Sequence, residues 1–278
     1  MKFSKNMEFA TCRLVGPGSP GGIHNFGLCN QMFQIAAVLS YAADNNFEAI
    51  FPDIQYEGYG PYKDTIFRNL NKTPYKESDI ELDFNQPGFE FCEIPKQPNI
   101  RLHGYYQSER FFENNKNLIF NTFKPTSKVK QYIIDKYRSK FDDSISCHVR
   151  LSDYTNLQDH HPLLINTNYY KNILDKVDRK NILVFSDDIP YCINSGVFDN
   201  YMDKVTFMEG EPDIIDLYSM SLCNDNIIAN STFSWWGAWL NDHKYKKVYY
   251  PDIWFGPAKD LNLDDLIPKS KSWIKVKS

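Results

Sequence analysis

The chain lacks the patterns that mark several classes of protein. Its 278 residues include 31 Lys and Arg against 35 Asp and Glu, for a net charge of −4, and no long basic run occurs. Because nucleic-acid binding depends on clustered positive charge, the composition predicts no nucleic-acid partner. The phosphate loop G-x-x-x-x-G-K-[ST] is also absent, which argues against a nucleoside triphosphatase.

Zinc, disulfide and membrane signatures are missing too. Six cysteines are spread along the chain without a C-x-x-C pair, so we predict neither a zinc site nor a dense disulfide framework. The first 20 residues hold no apolar core of signal-peptide length, and no run approaches the roughly 20 apolar residues of a membrane helix. We therefore expect a cytoplasmic protein without a membrane segment, unless a membrane anchor lies outside the given sequence.

The length and the hydrophobic pattern predict two domains of ordinary size. With 42% hydrophobic and 24% charged residues, the composition is that of a folded globular protein. Strand-like alternation and helix-like periodicity follow one another along both halves, which predicts parallel sheets joined by right-handed crossovers. We expect an N-terminal domain over 1–140 and a C-terminal domain over 141–278. The predicted fold class is α/β, with two Rossmann-like domains whose parallel sheets face a central cleft.

In the first half, a glycine-rich segment at 16–22 leads into a helical pattern that begins at Asn30. Such entries leave amide groups pointing at a ligand, so Asn30 and Gln31 are candidates for ligand contact. The alternative is that they only cap the helix. Residues 107–109 stand at another strand-to-helix junction and could cap the helix that follows. The polar stretch 72–98 shows little periodicity, and we assign no element there.

In the second half, polar side chains follow three predicted strands. The apolar run from Ile145 to Val149 alternates as a short strand does, and comparable runs occupy 181–186 and 226–229. If these strands are parallel neighbours, the clusters lie along one edge of a sheet, where open α/β sheets bind ligands. The clusters are His148, Arg150 and Asp153; Ser186, Asp187 and Asp188; and Asn230, Ser231, Thr232, Phe233 and Ser234.

Each cluster suits one part of a nucleotide-diphosphate-sugar. The guanidinium of Arg150 offers a planar fork of donors to phosphate oxygens. The turn 231–233 at a helix start offers backbone N–H groups at the positive end of the helix dipole. Asp187 or Asp188 can accept two parallel hydrogen bonds from guanine, and His148 can bond the base or the ribose. The set therefore predicts a site for a nucleotide-diphosphate-sugar.

The same groups also have purely structural interpretations. The arginine motif could be a surface loop with an ion pair, and Asp187 could be a helix cap. The three tryptophans between 235 and 239 have helical spacing, which predicts core packing rather than a sugar platform. His160 and His161 lack a further ligand at a suitable spacing, so we predict no metal site there.

Five segments taken together are recognisable. They are GLCNQMFQIAAVLSYA, GYYQSERFF, CHVRLSDY, FSDD and NIIANSTFSWWGAWL, which span about residues 22–255. In this order they resemble the motifs of glycosyltransferase family 11, the α-1,2-fucosyltransferases. The resemblance implies a GT-B fold, GDP-β-L-fucose as donor, inversion at the anomeric carbon and a galactose-containing glycan as acceptor. It also implies that no metal or other cofactor is required.

The resemblance further implies roles for individual residues. Arg150 resembles the family's essential β-phosphate arginine, His148 its guanosine-side histidine and Asp187 the carboxylate that reads guanine. Asn30 matches the asparagine of an N-terminal loop that faces the donor fucose and the acceptor. Asp153 is the matched candidate for the general base, although it could instead hold Arg150 in place. The diphosphate turn corresponds to Ser231, Thr232 and Phe233.

Two residues depart from the family's pattern. Leu151 stands where the family usually has a second arginine, so one diphosphate donor is missing or comes from elsewhere. Cys29 replaces a glycine before Asn30 and narrows the backbone freedom of that loop. Two alternatives therefore stay open: a non-catalytic or weakly active nucleotide-sugar binding protein, and a transferase of the same fold that uses another GDP-sugar, such as GDP-mannose. The sequence names neither the acceptor glycan nor the oligomeric state.

Overall fold

The structure is a computed structural model that describes residues 7–14, 27–55, 62–259, 261 and 264–278. The strand pairs in these residues are all parallel. The chain divides into two compact units, Met1–Lys124 with Asn262–Pro268, and Pro125–Leu261 with Lys269–Ser278. Each unit combines helices with one parallel sheet, so the predicted α/β class with two parallel sheets is confirmed. No helix in the described ranges is long and apolar enough to cross a membrane.

In its described residues, the first unit contains a four-stranded sheet and two helices. The elements are β1 (Phe9–Cys12), α1 (Leu28–Asn45), β2 (Glu48–Ala49), β3 (Leu82–Asn85), β4 (Ile100–His103) and α2 (Lys116–Phe123). The strand order is β2-β1-β4-β3. Helix α1 packs against β1 and β2 and ends before Asn46, whose φ of 61° is left-handed. Asparagine tolerates that conformation, so Asn46 terminates the helix without a glycine.

The first unit differs from the sequence prediction in three places. α1 begins at Leu28 rather than Asn30. β3 lies inside the stretch 72–98. Its apolar Leu82 and Phe84 alternate with polar residues, but the alternation covers only four residues, none of them buried, and no element was assigned there. After β4 the chain forms short 3₁₀ turns before α2 begins, and Ser108 caps the first turn by accepting the N–H of Arg110 at 3.2 Å. The predicted cap is therefore confirmed for Ser108, on a 3₁₀ turn.

The described part of the second unit contains a six-stranded sheet and five helices. The elements are α3 (Ser127–Phe141), β5 (Ser144–Val149), α4 (Tyr169–Leu174), β6 (Asn181–Ser186), α5 (Ile189–Asn194), β7 (Val205–Phe207), α6 (Asp213–Leu222), β8 (Asp225–Ile227), α7 (Thr232–Trp239), β9 (Val248–Pro251) and β10 (Trp273–Val276). The strand order is β10-β9-β8-β5-β6-β7. Read from β7, this is the order 3-2-1-4-5-6 of a Rossmann sheet, which reverses direction between β5 and β8. Ligands of such sheets bind at the carboxyl ends of the strands beside that reversal.

The core of the second unit extends over β5 and α7. All six residues of β5 are buried, and Ile145, Cys147 and Val149 belong to one hydrophobic cluster. On α7, Trp235 and Trp236 are fully buried with their rings edge to face. Their predicted role in core packing is confirmed, because each buries a large apolar area. The buried strand and helix thus hold the carboxyl edge of the sheet in place.

Candidate functional site

The three polar clusters of the second unit meet at one edge of its sheet. β5 pairs with β6 on one side and with β8 on the other, so the three strand ends are neighbours. Direct contacts join them. Arg150 Nη1 lies 2.9 Å from Asp187 Oδ2, and His148 Nδ1 lies 2.9 Å from the Oγ of Ser234 on α7. The second contact joins β5 to the first turn of α7, the helix that follows β8, and the strand order reverses between β5 and β8.

Arg150 is held by two carboxylates and an aromatic ring. Its Nη2 donates to Asp153 Oδ1 at 2.7 Å, and its Nη1 pairs with Asp187. The guanidinium carbon lies 5.6 Å from the centre of the Tyr154 ring, within the range of a cation–π contact. One third of the side chain is exposed, so the cation is positioned and still accessible to an anion.

Asp187 and Asp188, which directly follow β6, make different contacts. Asp187 Oδ1 accepts the backbone N–H of Leu151 at 2.9 Å, while its Oδ2 faces Arg150. Asp188 turns away and caps α5 by accepting the N–H of Tyr191 at 2.9 Å. The interpretation of Asp187 as a helix cap is therefore wrong, and the cap is Asp188. The two residues follow β6 directly, and their side chains reach different partners, which separates the two roles.

His148 is buried at the same edge. Burial lowers the pKa of its imidazole to about 3; the charge of Asp187 raises that pKa and the charge of Arg150 lowers it. The ring packs 5.4 Å from that of Phe233, and Nδ1 shares a hydrogen bond with the Ser234 hydroxyl. Nε2 makes no hydrogen bond within the described ranges. The imidazole is therefore neutral, and one ring nitrogen remains for a ligand.

The turn 231–233 forms the start of α7. Ser231 is the N-cap residue, and its Oγ accepts the N–H of Phe233 at 3.3 Å. Thr232 begins the helix and, like Phe233, is partly exposed. The first-turn N–H groups of a helix have no acceptor inside the helix, and they lie at the positive end of its dipole. The turn therefore lies at a helix start, where the sequence placed it, and anion binding there stays a prediction.

Tyr154 links Arg150 to Asn230, the residue directly before this turn, and the motif interpretation overlooked it. Its hydroxyl donates to the carbonyl of Asn230 at 2.9 Å, and its ring lies under the Arg150 guanidinium. On the same ring His161 stacks at 4.4 Å, and His161 Nε2 lies 3.1 Å from Lys259 Nζ. One tyrosine thus contacts the arginine and the residue that leads into the turn. Its position directly after Asp153 in the motif was the only sequence signal.

Leu151 occupies the position of the first departure from the family's pattern. Its side chain is 1% exposed and packs in the hydrophobic core of the second unit. Only its backbone N–H reaches the site, where it binds Asp187. At this position the chain therefore contributes a backbone donor that orients a carboxylate, rather than a second cation.

Asn30 lies in the first unit, in the first turn of α1. Its Oδ1 accepts a hydrogen bond from Gln107 Nε2 at 2.9 Å, and Gln107 is buried. The N-cap residue of α1 is Gly27, so capping by Asn30 is wrong. Cys29 is also helical and buried, which corrects its placement in a loop: a helical residue needs no glycine. Two of the recognised motifs therefore meet through a pair of neutral amides.

Comparison with known proteins defines the family. The sequence model of glycosyl transferase family 11 matches residues 24–254, most of the chain. The chain belongs to glycosyl transferase family 11. It is 28% identical to an α-1,2-colitosyltransferase of Escherichia coli, over 97% of this chain and 99% of that protein. It is 26% identical to a galactoside 2-α-L-fucosyltransferase of Caenorhabditis elegans, over 83% of this chain and 71% of the relative.

A solved structure shares the fold. NodZ α-1,6-fucosyltransferase soaked with GDP-fucose superposes with a TM-score of 0.51 at 14% sequence identity, over 84% of this chain and 93% of NodZ. At that identity the likeness concerns the fold alone. Family membership identifies a glycosyltransferase and confirms the resemblance in the sequence motifs.

Proposed function

We propose that this family 11 glycosyltransferase transfers L-fucose from GDP-β-L-fucose to a hydroxyl of a galactose-containing glycan, with inversion and without a metal ion. The observation that carries the proposal is that Tyr154 contacts both Arg150 and Asn230, the residue directly before the turn 231–233, at the strand-order reversal of the second sheet. The guanidinium of Arg150 and the N-terminus of α7 lie at the same sheet edge, and together they can bind the negative charges of a diphosphate. The galactoside 2-α-L-fucosyltransferase among the relatives supports the choice of donor and acceptor.

In the proposed reaction the acceptor oxygen attacks C1 of fucose on the face opposite GDP. The bond from C1 to the β-phosphate oxygen breaks, and its electron pair departs with GDP. Negative charge therefore develops on the β-phosphate, where Arg150 and the first-turn N–H groups of α7 stabilise it. Because these donors are already held in place, they need little reorganisation during the reaction.

A base must accept the proton of the attacking hydroxyl. Asp153 is our candidate for this base. It is one of two carboxylates that contact Arg150, and its contact with the guanidinium supports a positioning role as well. A pH-rate profile separates the two roles. If Asp153 is the base, Asp153→Asn removes the acid limb of the kcat profile; if Asp153 only positions Arg150, the limb persists at a lower rate.

Two groups are proposed to recognise guanosine. Asp187 accepts from the guanine amide and amino groups with the lone pairs that Arg150 and Leu151 leave free, since each carboxylate oxygen has two. His148 contributes its neutral Nε2 to the base or the ribose. A neutral ring suits this task, because Nε2 can then serve as either donor or acceptor according to the tautomer.

A second candidate donor is the GDP derivative of colitose, because one relative is an α-1,2-colitosyltransferase. Colitose is the 3-deoxy counterpart of fucose, so the two donors differ in one hydroxyl group. A site that hydrogen-bonds that hydroxyl rejects the deoxy sugar by about ten-thousandfold or more, whereas a merely shape-selective site discriminates far less. The ratio of kcat/KM values for the two donors therefore reports whether a polar group faces C3.

The deciding experiment incubates the protein with a panel of galactosides and GDP-fucose, GDP-colitose or GDP-mannose, each with and without EDTA. An α-1,2 linkage formed from GDP-fucose in EDTA, identified by NMR, supports the proposal. Transfer from GDP-colitose or GDP-mannose alone reassigns the donor. GDP binding by calorimetry without transfer from any donor favours a nucleotide-sugar binding protein instead.

A further inference from the structure

The two carboxylates on Arg150 differ in how firmly they are held. Asp187 makes two contacts, one with the guanidinium and one with the backbone N–H of Leu151, and its side chain is 20% exposed. Asp153 makes one hydrogen bond within the described ranges, to Arg150, and its side chain is 54% exposed. An exposed ion pair with one bond contributes little free energy, whereas a backbone-anchored carboxylate is held by the fold.

Both terminal nitrogens of Arg150 are engaged by these aspartates. A phosphate gripped by two parallel hydrogen bonds needs two adjacent N–H groups of the guanidinium. Asp153 holds one N–H of Nη2, and its negative charge stands beside the other. A diphosphate that reaches this cation therefore meets a carboxylate that competes for the same donor and repels the arriving charge.

We propose that Asp153 competes with the donor's diphosphate for Arg150, and that donor binding displaces it while Asp187 stays in place. This inference rests on the proposed function, which puts a diphosphate at Arg150. Asp187 keeps the guanidinium oriented through the exchange, since its anchor to Leu151 is independent of the ligand. The displaced carboxylate stays within a side chain's length of the arginine. It thereby becomes a free proton acceptor only after the donor has bound.

The test compares GDP affinity of the wild-type protein and two charge-removing variants by calorimetry. Asp153→Asn removes the competitor, so GDP should bind roughly twofold to fivefold more tightly, the range that an exposed ion pair supports. The matched control is Asp188→Asn, which removes an equal charge at the same sheet edge. Asp188 contacts Tyr191 rather than Arg150, and asparagine caps a helix as well as aspartate does. This control should leave GDP affinity unchanged.

Salt and steady-state kinetics sharpen the test. The increase in GDP affinity caused by Asp153→Asn should be smaller at high ionic strength, because salt screening weakens an exposed ion pair. The donor KM should fall in this variant even where kcat falls, a split that a purely structural role of Asp153 would not produce.

Three results would overturn the inference. Unchanged or weaker GDP binding by Asp153→Asn overturns this inference and leaves the proposed function standing. An equal gain in GDP affinity from Asp188→Asn does the same, because it would reflect only the general charge of the edge. If the wild-type protein binds no GDP, the proposed function fails and the inference fails with it.

Discussion

The carboxyl edges of the two sheets carry different chemistry. In the second unit, a guanidinium, two carboxylates and a neutral imidazole lie at one edge, with Arg150 and Asp187 in direct contact. In the first unit, Asn30 and Gln107 form a pair of neutral amides near the start of α1. Charge suits a diphosphate, whereas amides suit the hydroxyl groups of a sugar. Under the proposed function, we expect changes in the second unit to affect the donor and changes in the first unit to affect the acceptor.

The largest effect is expected from Arg150→Lys. An ammonium cannot reproduce the planar fork, so kcat with GDP-fucose should fall about a hundredfold to a thousandfold. The matched control is Arg179→Lys, because Arg179 also pairs with two carboxylates, those of Asp143 and Asp225, at the amino edge of the same sheet. Turnover of the control should stay near wild type. Normal turnover by Arg150→Lys would reject the role of the arginine.

Asp187→Asn tests what that carboxylate does for GDP. Losing hydrogen bonds to charged partners typically costs about 1.5–3 kcal/mol, and GDP binding should weaken by an amount in this range. Pyrophosphate measured in parallel separates the interpretations. If Asp187 reads guanine, GDP affinity falls while pyrophosphate affinity holds; an equal loss for both ligands means that the residue only orients Arg150.

His148 should make stability depend on pH. Its folded pKa of about 3 lies below the value of about 6.5 in an unfolded chain, so the unfolded chain binds more protons between those values. Stability should therefore be complete above pH 6.5 and fall by about 1.4 kcal/mol per pH unit as the pH drops below it. Denaturant unfolding of His148→Asn between pH 4.5 and 7, in steps of about half a unit, should show a shallower slope. His160→Asn, at an exposed position, should keep the wild-type slope.

The smallest effect is expected in the first unit. Asn30→Ala removes the acceptor of the Gln107 amide, and one neutral hydrogen bond is worth about 0.5–1.5 kcal/mol. The acceptor KM should rise several-fold while GDP affinity stays unchanged. Asn115→Ala is the control, since it breaks an amide contact with Asp44 near the other end of α1. A loss of GDP affinity in Asn30→Ala would remove the distinction between the two edges.

Part of the site was predictable from local pattern. The alternation from Ile145 to Val149 located β5, and the polar residues after it mark a strand end. The local pattern left open which of Asp187 and Asp188 faces the site, because both follow the same strand directly and carry the same side chain. Only the tertiary structure shows that Asp187 faces Arg150 and that Asp188 caps α5.

Other features were beyond the reach of local pattern. Cys29 belongs to a helix that begins at Leu28, although the local pattern placed the helix start at Asn30 and the glycine-rich segment before it suggested a loop. Tyr154 and His161 form a stacked pair whose members are seven positions apart and share no motif. Short strands such as β3 hold too few residues for their alternation to stand out from the polar sequence around them.

By itself, the sequence determined the α/β class, the strand ends that carry polar groups and membership of the family, because these follow from periodicity and motifs along the chain. Only the tertiary structure decided that β5 lies between β6 and β8, and hence that Arg150 meets Asp187 and His148 meets Ser234. The physical reason is that these partners come from strands far apart in the chain, and their order in the sheet depends on how the whole unit buries its core.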